Sequence, residues 1–154
     1  MSSARGLANH SLYMARLLLD AWGARAAQGD LDSRVLAAAF APAVRLHLLD
    51  AYGWFMLALL RTVPLPELPP HSVTELPGLK PGIAEPPEIS EFRDLELGDW
   101  IARLQAPLPR GVGQRAQRQS LASSADRPHI REYEEWHEHF SDLFTRMSVS
   151  LDEC

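Results

Sequence analysis

The 154-residue sequence contains only one cysteine, Cys154, and only one lysine, Lys80. A single cysteine rules out an internal disulfide and a zinc site built from cysteine pairs. It also favours a reducing compartment, and residues 1–11 lack the charged-then-apolar pattern of a signal peptide. We therefore expect a cytoplasmic protein.

Charge and motif content argue against several functional classes. The formal net charge is −5, which gives no support to a general affinity for nucleic acid or for an anionic membrane. No glycine-rich turn precedes a lysine, so the sequence has no nucleotide-binding loop. The GxSxG elbow of hydrolases is also missing. The sequence thus implies no cofactor and no catalytic residue, and it favours a protein partner over nucleic acid or membrane.

The most apolar stretch of the chain lies between Val44 and Leu60. Apolar side chains point almost every way around a helix here, so such a helix must be covered on most sides. The stretch includes His47 and Asp50, and it is shorter than the roughly 20 apolar residues of a membrane span. We interpret it as the central helix of a soluble bundle.

Helical spacing of apolar residues predicts an all-α fold, a bundle of four principal helices that forms one domain over residues 1–154. The predicted helices span residues 7–28, 32–62, 88–106 (broken near 97) and 127–150. Pro42 is expected to kink or break the second helix near Ala39. A tight turn near residue 30 makes the first two helices an antiparallel hairpin, in which residues whose numbers sum to about 60 share one level.

The last helix has the most regular pattern. Seven residues follow one another at spacings of 3-4-3-4-3-4, namely Ile130, Tyr133, His137, Phe140, Phe144, Met147 and Leu151. This pattern predicts a coiled-coil-type seam that packs at a shallow angle against its neighbours. Each of the four helices also contains one tryptophan, and we expect most of these to lie in the core.

Residues 63–87 contain eight of the twelve prolines. Proline removes amide donors, so no long helix can form there. We expect a semi-rigid connector along the bundle, with one short helical turn at residues 72–75, which have capping-box spacing. The alternative is a proline-rich ligand for a partner domain.

Four polar residues fall on the apolar sides of different helices: His10, His47, Asp50 and His137. Asp50 should lie one turn from His47 and close to His10, and imidazoles and carboxylates that converge in a bundle suit zinc, iron or nickel. These four are the metal-site candidates. The alternative is that they are core residues with satisfied hydrogen bonds, because the chain lacks a His-x-x-x-His pair and a second Glu-x-x-His motif.

The runs at residues 9–20 and 46–52, together with the helix that contains Trp136, resemble stretches of a family of small bacterial all-helical proteins with a domain of unknown function. The resemblance covers most of the chain outside its proline-rich middle. It implies a helical domain with no assigned activity and provides no catalytic residues.

Two functional hypotheses follow. The first is a structural or protein-interaction module, including a homodimer formed through one face of the bundle. The second is a metal-binding or metal-dependent helical-bundle enzyme that uses the four inward polar residues.

Overall fold

A computed structural model of the chain describes residues 2–79, 81–109 and 127–152. Regular secondary structure in these ranges is entirely helical, which confirms the predicted all-α fold. The elements are α1 (Ala4–Ala27), α2 (Ser33–Leu59), a 3-10 turn (Val73–Glu75), α3 (Pro87–Glu96), α4 (Trp100–Gln105) and α5 (Ile130–Asp152). The sequence predicts a loop from Pro107 to Asp126, and most of it lies outside the described residues.

Helices α1 and α2 form the predicted antiparallel hairpin. The Ser3 hydroxyl accepts a hydrogen bond from the Gly6 N–H and caps α1, and Asp32 caps α2 in the same way. Between them Gly29 adopts a φ of 71°, which reverses the chain at little cost for glycine. Trp22 stacks on Phe40 with ring centroids 5.9 Å apart, so the two helices share a level where residue numbers sum to about 60.

Of the kink or break expected near Ala39, the break does not occur, because α2 passes Pro42 without interruption. The helix continues as one element from Ser33 to Leu59 with Pro42 inside it. Proline removes one hydrogen bond of the helix, but Ala41 and Val44 on either side of it are buried. The packing of these flanking turns holds the helix together across the missing bond.

The break predicted near residue 97 is confirmed. Helix α3 ends at Glu96, Gly98 has a φ of 97°, and the Asp99 carboxylate accepts the Trp100 N–H to start α4. The short turn predicted at residues 72–75 is also confirmed, as a 3-10 turn. Its carboxylate on Glu75 accepts the His71 N–H rather than the Ser72 N–H.

The core is built from aromatic side chains around the second half of α2. Phe55 stacks on Phe144 of α5 with centroids 4.0 Å apart, and Tyr52 contacts both Phe140 and Phe92. Along the predicted seam of α5 four side chains are buried, those of Tyr133, Phe140, Phe144 and Met147, and three are half-buried, those of Ile130, His137 and Leu151. Three of the four tryptophans are buried, and Trp100 is half-buried.

Candidate functional site

The structure does not bring the four metal-site candidates together. His10 is exposed on α1, and His47 is half-buried on α2. Asp50 accepts a 2.8 Å hydrogen bond from His71 Nε2 instead of meeting His10. No group of three or more His, Cys, Asp or Glu side chains suited to a metal ion occurs within residues 2–79, 81–109 and 127–152. Metal binding by these residues stays a prediction.

His137 connects α5 to α1. Its Nε2 donates to the Leu12 carbonyl oxygen at 3.0 Å. Burial lowers the pKa of His137, and the hydrogen bond to Leu12 opposes that shift. The imidazole is therefore neutral at pH 7 and serves as a polar link between two packed helices.

A second polar cluster lies where the proline-rich segment crosses α2. Besides the His71–Asp50 contact, the Gln105 side-chain amide donates to the His71 carbonyl at 2.9 Å and to Glu96 Oε1 at 2.6 Å. The same Glu96 carboxylate accepts the Val73 N–H at 3.0 Å. These bonds tie the proline-rich segment to α2, α3 and α4.

The Glu96 carboxylate also accepts the Tyr52 hydroxyl at 3.1 Å. Burial and the neighbouring carboxylate raise the pKa of Tyr52, so the phenol stays protonated and donates. One half-buried carboxylate thus satisfies donors from three different segments. Hydrogen bonding of this kind fixes where the connector lies on the bundle.

Gly53 allows the proline-rich segment to approach the α2 backbone. A Cβ atom at this position would lie 1.8 Å from the Pro70 carbonyl oxygen and 3.0 Å from Pro69 Cβ. Only glycine fits here without displacing the segment. Sequence reasoning did not find the role of His71, because its contact with Asp50 joins residues 21 apart across a chain reversal.

The first half of α2 has an apolar stripe that the described part of the chain leaves uncovered. Val35 is 46% exposed and Leu46 is 48% exposed. Ala39 and Pro42 between them are exposed as well, and spacings of 4-3-4 put all four on one side of the helix. The expected cover on most sides of α2 is therefore incomplete at Leu46 and upstream of it.

Helix α1 has a matching stripe, in which Tyr13 is 57% exposed and Leu17 is 45% exposed. The side of α1 that meets α5 is a different one, since a Cβ built on Gly23 would lie 3.8 Å from Ile130 Cδ1. The two stripes lie side by side on the outer side of the hairpin. We call them the hairpin face, which consists of Tyr13, Leu17, Ala21, Ala24, Val35, Ala39, Pro42 and Leu46.

The hairpin face carries no net charge. On its edge Arg16 pairs with Asp20 at 3.3 Å, and His10 is exposed on the same side of α1. The residues that form the face have no ionisable group apart from the Tyr13 phenol. The outer side of α5 differs, because it is strongly acidic. Its exposed residues include Glu134, Glu135, Glu138 and Asp142.

Helix α2 is strongly apolar, although much of it is not buried. An 18-residue window of it has a mean hydropathy of 1.3, and 39% of that window is buried. By length and composition alone the helix is also able to cross a membrane. The unburied share of the window includes the stripe of the hairpin face.

No protein-family model, no curated protein and no solved structure matches the chain at a significant level. The resemblance to a family of small bacterial helical proteins stays a prediction. Function is therefore inferred from the geometry of the described residues.

Proposed function

We propose that the protein is a cytoplasmic interaction module that forms a homodimer through the hairpin face. The observation that carries the proposal is the uncovered apolar stripe from Val35 to Leu46, which lies beside a second stripe on α1. Contiguous exposed apolar surface on a folded domain marks an interaction site more often than chance exposure does. We infer that another protein surface covers the side of α2 that the described residues of the bundle leave exposed.

A second copy of the chain is electrostatically compatible with this face. The face has no net charge and no ionisable group on the α2 stripe, so two copies can meet across a twofold axis without like-charge repulsion. The face also contains small side chains, which allow the helices of two copies to approach closely; these belong to Ala21, Ala24 and Ala39. A strongly charged partner would find no complementary group on it.

The size of the face indicates a weak dimer. Twelve residues of each helix are about 18 Å long, and two helices side by side are about 20 Å wide. The projected area is thus roughly 360 Å², whereas a standard interface buries about 800 Å² of accessible surface on each partner. We expect a reversible dimer with a Kd on the order of 10 µM or weaker.

Sedimentation equilibrium under reducing conditions tests the proposal, at protein concentrations from about 1 to 300 µM, which bracket that Kd. The wild type should show a monomer–dimer equilibrium. Leu17→Glu and Leu46→Glu should each abolish the dimer, because two copies would then bury unpaired carboxylates against one another.

The matched control is Val149→Glu on α5. Val149 is 56% exposed but lies outside the hairpin face, so this variant should dimerise like the wild type. A wild type that stays monomeric at every concentration contradicts the proposal. If that monomer bound phosphatidylcholine vesicles through Leu46, the face would be a membrane-surface site instead.

A further inference from the structure

The outer stripe of α2 does not end at Leu46. Asp50, Gly53, Leu57 and Leu60 continue it at spacings of 4, 3, 4 and 3 residues. Val35 and Leu60 are 25 residues apart, which is about seven helical turns, so the whole series lies on one side of the helix. The first half of this side is exposed, whereas Gly53 and Leu57 in the second half are buried.

Residues 63–79, the proline-rich strap, cover the second half. The Pro70 carbonyl lies directly over Gly53, and the His71 side chain hydrogen-bonds Asp50. The strap therefore covers the second half of the α2 stripe. This half directly continues the hairpin face, on which the second copy binds in the proposed dimer.

The strap is held at one end more firmly than at the other. The hydrogen bonds that pin it to the bundle fall on His71 and Val73, through Asp50, Gln105 and Glu96. An open cleft of about 540 Å³ lies beside Leu57, and strap residues on both sides of His71 line it, among them Leu65, Leu68 and Pro77. Leu57 itself is 1% exposed, so the strap covers this leucine, and the hydrogen bonds that hold the strap lie beyond it at His71 and Val73.

We infer that the surface under the strap is a cryptic extension of the self-association surface, and that the second copy is its occupant when the strap is released. The inference rests on the proposed function. Release would lengthen the continuous stripe on α2 from about 18 Å to about 39 Å. Asp50 would be the single ionisable group on the added part.

Two glycines, one in each helix of the hairpin, provide a matched test. Gly53→Ala adds a Cβ that collides with the Pro70 carbonyl and displaces the strap, whereas Gly23→Ala adds one at an ordinary contact distance of 3.8 Å. Strap release is measured by hydrogen exchange of the Val73 amide, which donates to Glu96 of α3, and association by sedimentation equilibrium.

We expect Gly53→Ala to exchange the Val73 amide fast and to lower the dimer Kd by about tenfold or more, which corresponds to burying one further leucine side chain. Gly23→Ala should change neither quantity. If Gly53→Ala does not fold, Asp50→Ala with Gln105→Ala removes two strap contacts without added bulk, together with the one ionisable group of the added surface, and should give the same result.

The outcomes separate this inference from the proposed function. A dimeric wild type whose Kd is unchanged or higher after strap release overturns the inference alone. Slow amide exchange in both release variants also overturns it, because the named contacts would not be what holds the strap. A monomeric wild type with an associating release variant overturns only the proposed function, and two monomeric proteins overturn both.

Discussion

The two halves of α2 are both apolar but have different surroundings. From Ala51 to Leu57 every residue is buried. From Val35 to Leu46 one side of the same helix has no neighbour within the described residues. The apolar content of a helix thus indicates how much of its surface is to be covered, but it does not indicate whether the cover comes from the same chain or from another protein.

The largest expected effect comes from the covered half. Phe55 is 1% exposed and stacks on Phe144, so Phe55→Ala should lower the free energy of unfolding by about 3 to 5 kcal/mol through lost contacts and a new cavity. Urea unfolding of the monomer at low protein concentration measures it. Val35→Ala, in the uncovered half, should change the same quantity by less than about 1 kcal/mol. Similar losses at both positions would mean that Val35 is covered within the chain.

The polar contacts that hold the strap over the covered half should give the next effect. Glu96→Ala removes the acceptor of Tyr52, Val73 and Gln105. Donors left without partners in a half-buried site should lower stability by about 2 to 3 kcal/mol.

The control for this variant is Glu91→Ala. Glu91 pairs with Arg146 at the surface, with side-chain exposures of 40% and 59%, and the loss should stay below about 1 kcal/mol. If Glu96→Ala lowered the free energy of unfolding by less than Glu91→Ala does, water would be replacing the Glu96 carboxylate as the hydrogen-bond acceptor.

The uncovered half should become more stable when its proline is removed. Pro42→Ala restores a backbone N–H inside α2, and we expect the free energy of unfolding to rise by about 1 to 3 kcal/mol. Pro87→Ala, at the first turn of α3, should change the free energy of unfolding little, because a backbone N–H at this position has no partner within the helix. An unchanged stability for Pro42→Ala would mean that the helix already compensates for the missing bond.

The sequence predicted the helices well because their signals are local. The seam of α5 and the break before Asp99 each depend on residues within one or two turns of each other. The sequence also predicts one helix across Pro42, over residues 32–62, but a local pattern does not decide between a continuous helix and a kink or break near Ala39. That choice depends on the burial of neighbouring turns, which is a property of the tertiary fold.

The candidate site was predicted only in part. His10 is predicted on the apolar side of its helix, but the structure exposes it, together with Tyr13 and Leu17 on the same side of α1. An apolar pattern does not distinguish a side that faces the core from a side that faces a partner. The pairing of His71 with Asp50 was out of reach for a similar reason, since it follows from the path of a proline-rich segment rather than from a spacing.

The smallest expected effect concerns the covered side of α1, where His137 bonds the Leu12 carbonyl. Burial lowers the pKa of His137 below its ordinary value of 6.5, so between the two values the unfolded chain binds more protons than the folded chain. The free energy of unfolding therefore falls as the pH drops below 6.5. His137→Gln keeps a donor for Leu12 but does not titrate, and its unfolding free energy should depend less on pH than that of the wild type.

Urea unfolding of both proteins across this pH range measures the difference, and it cancels the contributions of the other five histidines, since the chain has six. If the free energy of unfolding of His137→Gln fell with pH as steeply as that of the wild type, His137 would not be titrating between a folded and an unfolded pKa that differ.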